Sequence, residues 1–430
     1  IISYQGSFLY CMHNLEQFRQ KSGPVPLFFQ AKWDKGGTMA KKGSLNARFL
    51  CLQAIIVMMS CVGNSFITPI LQRFGYEPFD IGVTMTCAAI TAAVAKPLWG
   101  YVNDRFACAK QLVLAGTALG CAAYGLLIAS GGQRVLATLA VMLLYLTFLC
   151  LLGFVDSWAV RLISDGWTLN YAITRAGGSL SYAFMAAGFG AIMSGYGPAP
   201  GLPILLLLFI LLAVTVFSLP NPQRTQAAAR TVSIRRAVQA LGRNRVFVIA
   251  VAAYFLCSVT SSAFDSFFSV LVTGLGGTEQ QVGVGLFCQA VSEVPVMFLY
   301  SALRRRVRWP AAYFLAAGMA FFGLKTLGLG LAGSFQVVFA VNLLHGLCYA
   351  TMTAGCVDFI LETVEADYLA TAHLMYSAIG NSLGAVAGNA LCGAVAQAIG
   401  VHPMMVLISA GGFIGCALIL YAMHQKRRAI

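Results

Sequence analysis

Glu293, His345 and Asp265 stand inside long apolar runs, where an ionisable side chain is costly and is usually kept for a function. Measured from the ends of their runs at about 1.5 Å per residue, His345 lies ~15 Å, Glu293 ~21 Å and Asp265 ~12 Å along a helix, a common band near its middle. A carboxyl held out of water can exchange a proton near neutral pH, and a nearby imidazole can relay or share that proton. Glu293 with His345 therefore reads as a proton-exchange site, with Asp265 in reserve. The plainer reading stays open, in which His345 packs and Glu293 caps a kink beside Pro295. Asp156 and Arg175 are expected to form a charge pair between two runs, because either alone would be expensive to bury. Two lysines stand apart. Lys325 lies about five residues from the end of its run and reads as a snorkelling side chain. Lys96, just before Pro97, either pairs with a carboxylate or faces an opening.

Other chemistry finds no support. There is no nucleophile–base pair and no phosphate loop. The 13 cysteines are scattered through apolar runs with no CxxC or Cys/His metal spacing, so they read as small core residues. No metal or cofactor is expected. The net charge of +14 sits in loops between apolar runs, which speaks for membrane topology and against a nucleic-acid surface. Trp99, Trp158, Trp167 and Trp309 fall at run ends on one side and read as an interfacial aromatic belt.

The elements that must carry these residues follow from composition. Of 430 residues, 59% are hydrophobic and 10% charged, against about 25% charged in a soluble domain. With a mean hydropathy of +0.78, a soluble enzyme, a disordered chain and a secreted disulfide scaffold are excluded. The apolar runs are continuous, unlike the alternating strands of a membrane barrel, and each is long enough to span a bilayer as a helix. Twelve are expected, at about 47–72, 78–103, 109–130, 135–160, 169–196, 201–219, 246–273, 279–303, 309–331, 335–361, 369–399 and 402–424. The fold class is thus an all-α membrane protein of twelve transmembrane helices in two six-helix bundles. The bundles are 39–219 and 246–430, joined by a polar connection, 220–245, that carries six arginines.

Lysine and arginine set the orientation. Lys41, Lys42, Arg48, Arg105, Lys110, Arg161, the linker arginines, Arg304–Arg306, Arg308 and Lys426–Arg428 all fall on one side; Arg73 and Arg134 fall on the other. Both termini are therefore expected in the cytoplasm, in a multi-pass protein of the inner (plasma) membrane. Glu362, Glu365 and Asp367 make one connection on the basic side acidic. Residues 1–38 show neither an apolar period nor a signal-peptide layout. Met39-Ala-Lys-Lys after Lys35-Gly-Gly reads as the true start, with 1–38 a translated leader or a disordered tail.

The halves carry traces of a repeat. Gly75 and Gly82 recur 201 residues later as Gly276 and Gly283, Pro97 has Pro295 near its counterpart, and Gly178-Ser-Leu resembles Asn381-Ser-Leu. Repeated halves are how many transporters are built.

The most informative stretch follows the second run: Gly100-Tyr-Val-Asn-Asp104-Arg105, with Lys110 beyond. A tight turn between membrane helices needs small residues, and Asp104 and Arg105 need partners this close to hydrocarbon. The stretch resembles the signature loop of the major facilitator superfamily. Ala107 stands where the family often has glycine, and the basic run is reduced to Lys110. Ser292-Glu-Val-Pro, Leu343-Leu-His-Gly, Asp156 and Tyr171-x-x-x-Arg175-x-x-Gly-Ser resemble the branch of lactose permease, the nucleoside:proton symporters and the phenylpropionate permeases.

The resemblance implies a secondary transporter that alternates access to a midplane site between two bundles. Its partners would be a small-molecule solute, protons and the lipid bilayer, with no nucleic acid, and the chain would be a monomer. Gly100, Asp104 and Arg105 would form a cytoplasmic gate. Arg175 would contact solute or only stabilise Asp156. Asn64, Tyr349, Tyr376 and Asn381 would bond a solute or serve packing. A sugar, nucleoside or aromatic acid importer is the first expectation. Export is the alternative, weakened because the fifth run lacks the Gly-Pro motif of that superfamily's exporters; a receptor or membrane enzyme is remote.

Overall fold

The computed structural model describes residues 39–106, 108–220, 234–307 and 309–428. The expected leader, 1–38, and residues 221–233 of the polar connection lie outside the described residues. Among the described residues, twelve helices are long and apolar enough to cross a bilayer. They are α1 Leu45–Arg73, α2 Pro78–Val102, α3 Ala109–Ala129, α4 Arg134–Ile163, α5 Ile173–Tyr196, α6 Gly201–Ser218, α7 Arg245–Gly274, α8 Glu279–Arg304, α9 Ala311–Gly330, α10 Phe335–Thr363, α11 Thr371–Ile399 and α12 Val401–Gln425. No strand occurs among the described residues. The all-α fold of twelve membrane helices is as the sequence predicts, and span boundaries agree within a few residues.

Local chemistry starts the helices where they start. Asn170 and Asn244 accept hydrogen bonds from the amides of Ile173 and Phe247, capping α5 and α7. Thr278 and Gln281 form a capping box that opens α8. A short helix before α7, Ile234–Arg243, buries Ala237 and Leu241 and exposes Arg235 and Arg236. It lies on the face of the bundle that holds the connection between α6 and α7, called here the linker face.

Several of these helices are not regular. A wide turn interrupts α1 at Cys61–Ser65, α4 at Tyr145–Leu149 and α11 at Tyr376–Leu383. Such turns are common at functional sites. Helix α10 breaks at Leu343 and Leu344, so His345 begins a new helical segment.

On the face away from the linker, the halves are joined by paired contacts that obey the repeat. Gly82 of α2 meets Gly393 of α11 so closely that a Cβ on Gly82 would lie 2.7 Å from the Gly393 Cα. The counterpart of Gly82, Gly283 of α8, meets Gly190 of α5; a Cβ on Gly190 would lie 2.9 Å from its Cα. Around these crossings, Thr68 donates to the Ser266 carbonyl at 2.9 Å. The amide of Gln72 donates to Thr273 and its oxygen accepts from Ser269, both at 2.8 Å. Arg73 pairs with Glu279, and Gln397 donates to Glu77 at 2.8 Å. Gly75 and Gly276 end α1 and α7 in the same left-handed backbone, with φ of 80° and 82°. The sequence repeat is thus a structural one.

One expectation is corrected. Trp158 does not belong to an interfacial belt: it is 1% exposed and packs edge-on against Phe49 in the core. A run-end position did not reveal that its helix face points inward. The acidic connection after α10 is explained as well. Arg304 donates to Asp358 at 2.9 Å and to Glu362 at 3.0 Å, while Tyr300 donates to Asp358 at 2.7 Å. Glu362 is there to pair with the basic end of α8.

Leucine at Gly82 or Gly283 should stop the linker-distal face from closing, since no flexible side chain can yield there. Spin labels at Phe79 and Gln280 should move apart as the crossing relaxes towards the ~8–10 Å of ordinary helix pairs. Unchanged label distances in both variants would contradict this account of the seal.

Candidate functional site

Helix α8 carries Gln289 and Glu293 four residues apart, on one face directed at α10. What brings α10 to them is Gly346. A Cβ there would run into the Ser292 carbonyl, so any larger residue would push the helices apart. The Gly346 amide donates to the Ser292 hydroxyl at 2.9 Å, and Asn342 donates to the Gly285 carbonyl at 3.2 Å. These two bonds clamp α10 to α8 on either side of its break. The two stretches singled out by sequence, Ser292-Glu-Val-Pro and Leu343-Leu-His-Gly, are therefore in direct contact.

The clamp places His345 Nε2 at 3.4 Å from Glu293 Oε1 and 3.2 Å from the Gln289 amide. His345 is 1% and Glu293 6% exposed. The imidazole stacks on Tyr349, with centroids 5.6 Å apart and planes 12° apart. Sequence reading placed Glu293 and His345 at similar depth; the structure brings their side chains together.

The residue that sequence reading misjudged is Lys325. It is 0% exposed, does not snorkel, and places Nζ 2.9 Å from His345 Nδ1. The same ammonium lies 3.2 Å from the centre of the Phe264 ring, a cation–π contact. Depth alone made an interfacial lysine plausible. The rotation of α9 decides otherwise, turning Lys325 towards α7 and α10. Asp265, next to Phe264, is near enough to Lys325 for each to feel the other's charge.

Asp265 also lines a cavity between the halves. Its wall combines Asn64, Ser65 and Thr68 of α1, Tyr145 of α4, Tyr182 of α5, Ser266 and Ser269 of α7, and Gln289 of α8. These groups are hydroxyls and amides, set among the apolar side chains of Leu149, Phe264, Phe268, Val282 and Leu286. Asp265 is the charged residue among them, and no Lys, Arg or His is among the described residues that line the cavity. The wide turns of α1 and α4 supply Asn64, Ser65, Tyr145 and Leu149 to the wall. Gln289 belongs both to this wall and to the His345 cluster. The i, i+4 spacing of Gln289 and Glu293 was the sequence signal that could have found it.

The remaining candidates are placed as follows. Asn64 lines the cavity and donates to Ser60 at 3.1 Å. Tyr376 is buried against Tyr254, with centroids 4.3 Å apart, and Asn381 is buried in the wide turn of α11. Neither these nor Tyr349 is among the lining residues. Asp156 is fully buried and accepts a 2.9 Å hydrogen bond from Gln53 of α1. Arg175 acts on Asp156 through space and donates to Ser179 at 3.4 Å. Lys96 is half-buried near Cys150 of α4. Gly100 stands where a Cβ would meet nothing within 4 Å, so the close approach expected of it is not made in this conformation. The side chains of Asp104 and Arg105, at the end of the helix that contains α2, lie outside the described residues. Among the described residues, no three His, Cys, Asp or Glu side chains gather as a metal site.

Comparison with known proteins agrees with this architecture. The chain is 25% identical over 349 residues to the maltose permease of Geobacillus stearothermophilus, covering 81% of this chain and 87% of the permease. It is 26% identical over 372 residues to a Deinococcus radiodurans protein named as a proposed sugar efflux transporter, covering 84% and 92%. A crystal structure of a variant of the nucleoside transporter NupG superposes with a TM-score of 0.75 at 14% identity, over 87% of this chain and 99% of that one. The sequence model of the MFS_1 like family matches residues 56–406. The chain therefore belongs to the MFS_1-like family, a group of multi-pass membrane transporters of the major facilitator superfamily, and is not an enzyme.

Proposed function

We propose that this transporter carries a small, neutral, hydroxyl-rich solute, of the sugar or nucleoside class, together with a proton. The observation that supports this most is the buried cluster of Glu293, His345 and Lys325, linked through Gln289 to a cavity whose polar lining is hydroxyls, amides and Asp265 beside aromatic and aliphatic side chains. Hydroxyl and amide walls match the donors and acceptors of a polyol, and a carboxylate accepts from two neighbouring hydroxyls at once. Asp265 in the wall speaks against an anionic aromatic acid. Glu293 is the proton carrier and His345 its partner. Asp265, on the cavity wall and within the field of Lys325, is where the solute and the proton meet.

The linker face is cytoplasmic, on the strength of its arginines. The conformation described here, sealed at the opposite face, then has its outer entrance shut. In this reading Asp104 holds the inner gate in the opposite conformation, when the linker face closes. Asp156, with Gln53 and Arg175, ties α4 to α1 and α5 in the N-terminal bundle. A second reading, export of the same solute class, is favoured only by the name of the Deinococcus radiodurans relative.

In proteoliposomes tested with maltose and uridine, Glu293→Gln should lose uphill uptake driven by a pH gradient and keep solute-for-solute exchange. Uphill uptake that survives in both Glu293→Gln and His345→Ala would move coupling elsewhere, to Asp265 first. Asp104→Asn should cripple transport with expression and fold intact; near-normal uptake would show that the signature loop no longer gates.

A further inference from the structure

We propose that Lys325 is the positioning residue of the coupling site: its ammonium fixes His345 in the Nε2–H tautomer, so that the imidazole presents a donor to Glu293 and to Gln289. The inference rests on the coupling role proposed above for Glu293 and His345, but its geometry stands by itself.

A neutral imidazole has one donor and one acceptor nitrogen, and its neighbours decide which is which. Lys325 Nζ approaches Nδ1 at 2.9 Å, and it lies over the face of Phe264 at 3.2 Å. The negative face of an aromatic ring holds a cation and repels an amine lone pair. The ring face favours the ammonium form of Lys325, which has three donors and no acceptor. Nδ1 must accept from it, and the single imidazole proton must sit on Nε2. That proton points at Glu293 Oε1, 3.4 Å away, and at the Gln289 amide, 3.2 Å away.

The assignment requires the Gln289 amide to be turned over. As placed, its amide nitrogen faces Nε2, while its buried Oε1 has no hydrogen-bond partner. An amide can be turned over at no cost in shape, and an ammonium cannot become an acceptor. Turned over, Gln289 offers its oxygen to Nε2–H. Gln289 then accepts from His345 on one side and borders the cavity on the other, so a solute that engages this amide acts on the imidazole as well.

Charge balance gives Lys325 its second consequence. Around it stand Asp265 of α7, Glu293 of α8 and Cys348 of α10, with Tyr349 against the imidazole. With both carboxylates ionised and one ammonium, the group carries a net negative charge, and one bound proton neutralises it. A single proton on Glu293 meets that balance.

The test is solid-state nitrogen NMR of histidine-labelled full-length protein in lipid bilayers at pH 7, with the His345 signal assigned by its loss in His345→Gln. Wild type should show His345 protonated at Nε2 only. Lys325→Arg, which keeps a cationic donor, should preserve that signature, and Lys325→Met should admit the Nδ1–H tautomer. An Nδ1–H form or an imidazolium in wild type overturns the proposal, as does an unchanged spectrum in Lys325→Met. Should Lys325→Met fail to fold, the wild-type spectrum alone decides. In parallel, pH-driven maltose uptake should survive in Lys325→Arg and fall about tenfold or more in Lys325→Met, the scale of a lost charged hydrogen bond. The NMR readout needs neither solute nor gradient. An Nε2–H spectrum without proton-driven uptake in wild type would therefore sink the coupling reading and leave this one standing.

Discussion

A charge can be kept in the dry interior of a membrane protein only if another group answers it. Here the answer to Lys325 is a ring face on one side and an imidazole on the other, with carboxylates beyond both. Removing one member of such a group leaves another charge uncompensated, which typically costs about 3–5 kcal/mol. The surrounding architecture serves this requirement. Helix α10 breaks at Leu343 and Leu344 so that His345 can turn inward, Gly346 lets α10 lie against the Ser292 carbonyl, and Asn342 fastens the other side of the break. Gly318 similarly lets α9, which carries Lys325, approach the backbone of α10 at Met352.

Under the transport cycle proposed above the same helices also move against one another, and two kinds of contact meet the two demands. Within the C-terminal half, α8, α9 and α10 are tied by charges and close glycine contacts. Between the halves, the joints are two glycine crossings, the Arg73–Glu279 ion pair and a small set of hydrogen bonds at one face. Those crossings are related by the internal repeat, Gly82 with Gly393 and Gly283 with Gly190. Two equivalent joints can open together as bodies rotate, without unpacking either bundle. The cavity lies between these layers and touches both, through Gln289 and Asp265 on one side and Asn64, Ser65 and Thr68 on the other.

Much of this was legible in the sequence. Span number and boundaries follow from continuous apolar runs, and the repeat showed in glycines that prove to be turn and crossing positions. Glu293 and His345 could be paired by depth because both stand near the middle of long membrane-spanning runs. Rotation about the helix axis was not legible. It sent Lys325 inward instead of outward, buried Trp158, put Gln53 on Asp156, and left Tyr376 packed on Tyr254 away from the cavity wall. The break in α10 was equally hidden, because no proline or polar run marks Leu343 and Leu344. What fixes it is tertiary: the hydrogen bonds from Asn342 and Gly346 to α8.

The central claim, that solute and proton move together through one linked site, is tested most directly by following both fluxes in the wild-type protein. Proteoliposomes carrying an internal pH dye would be given a downhill gradient of maltose, then of uridine, with no initial pH difference and the membrane potential clamped at zero. The account predicts that protons enter with the transported solute, one for each molecule, and that the lumen acidifies. Solute entry without a change in internal pH, or with protons leaving as solute enters, would contradict it.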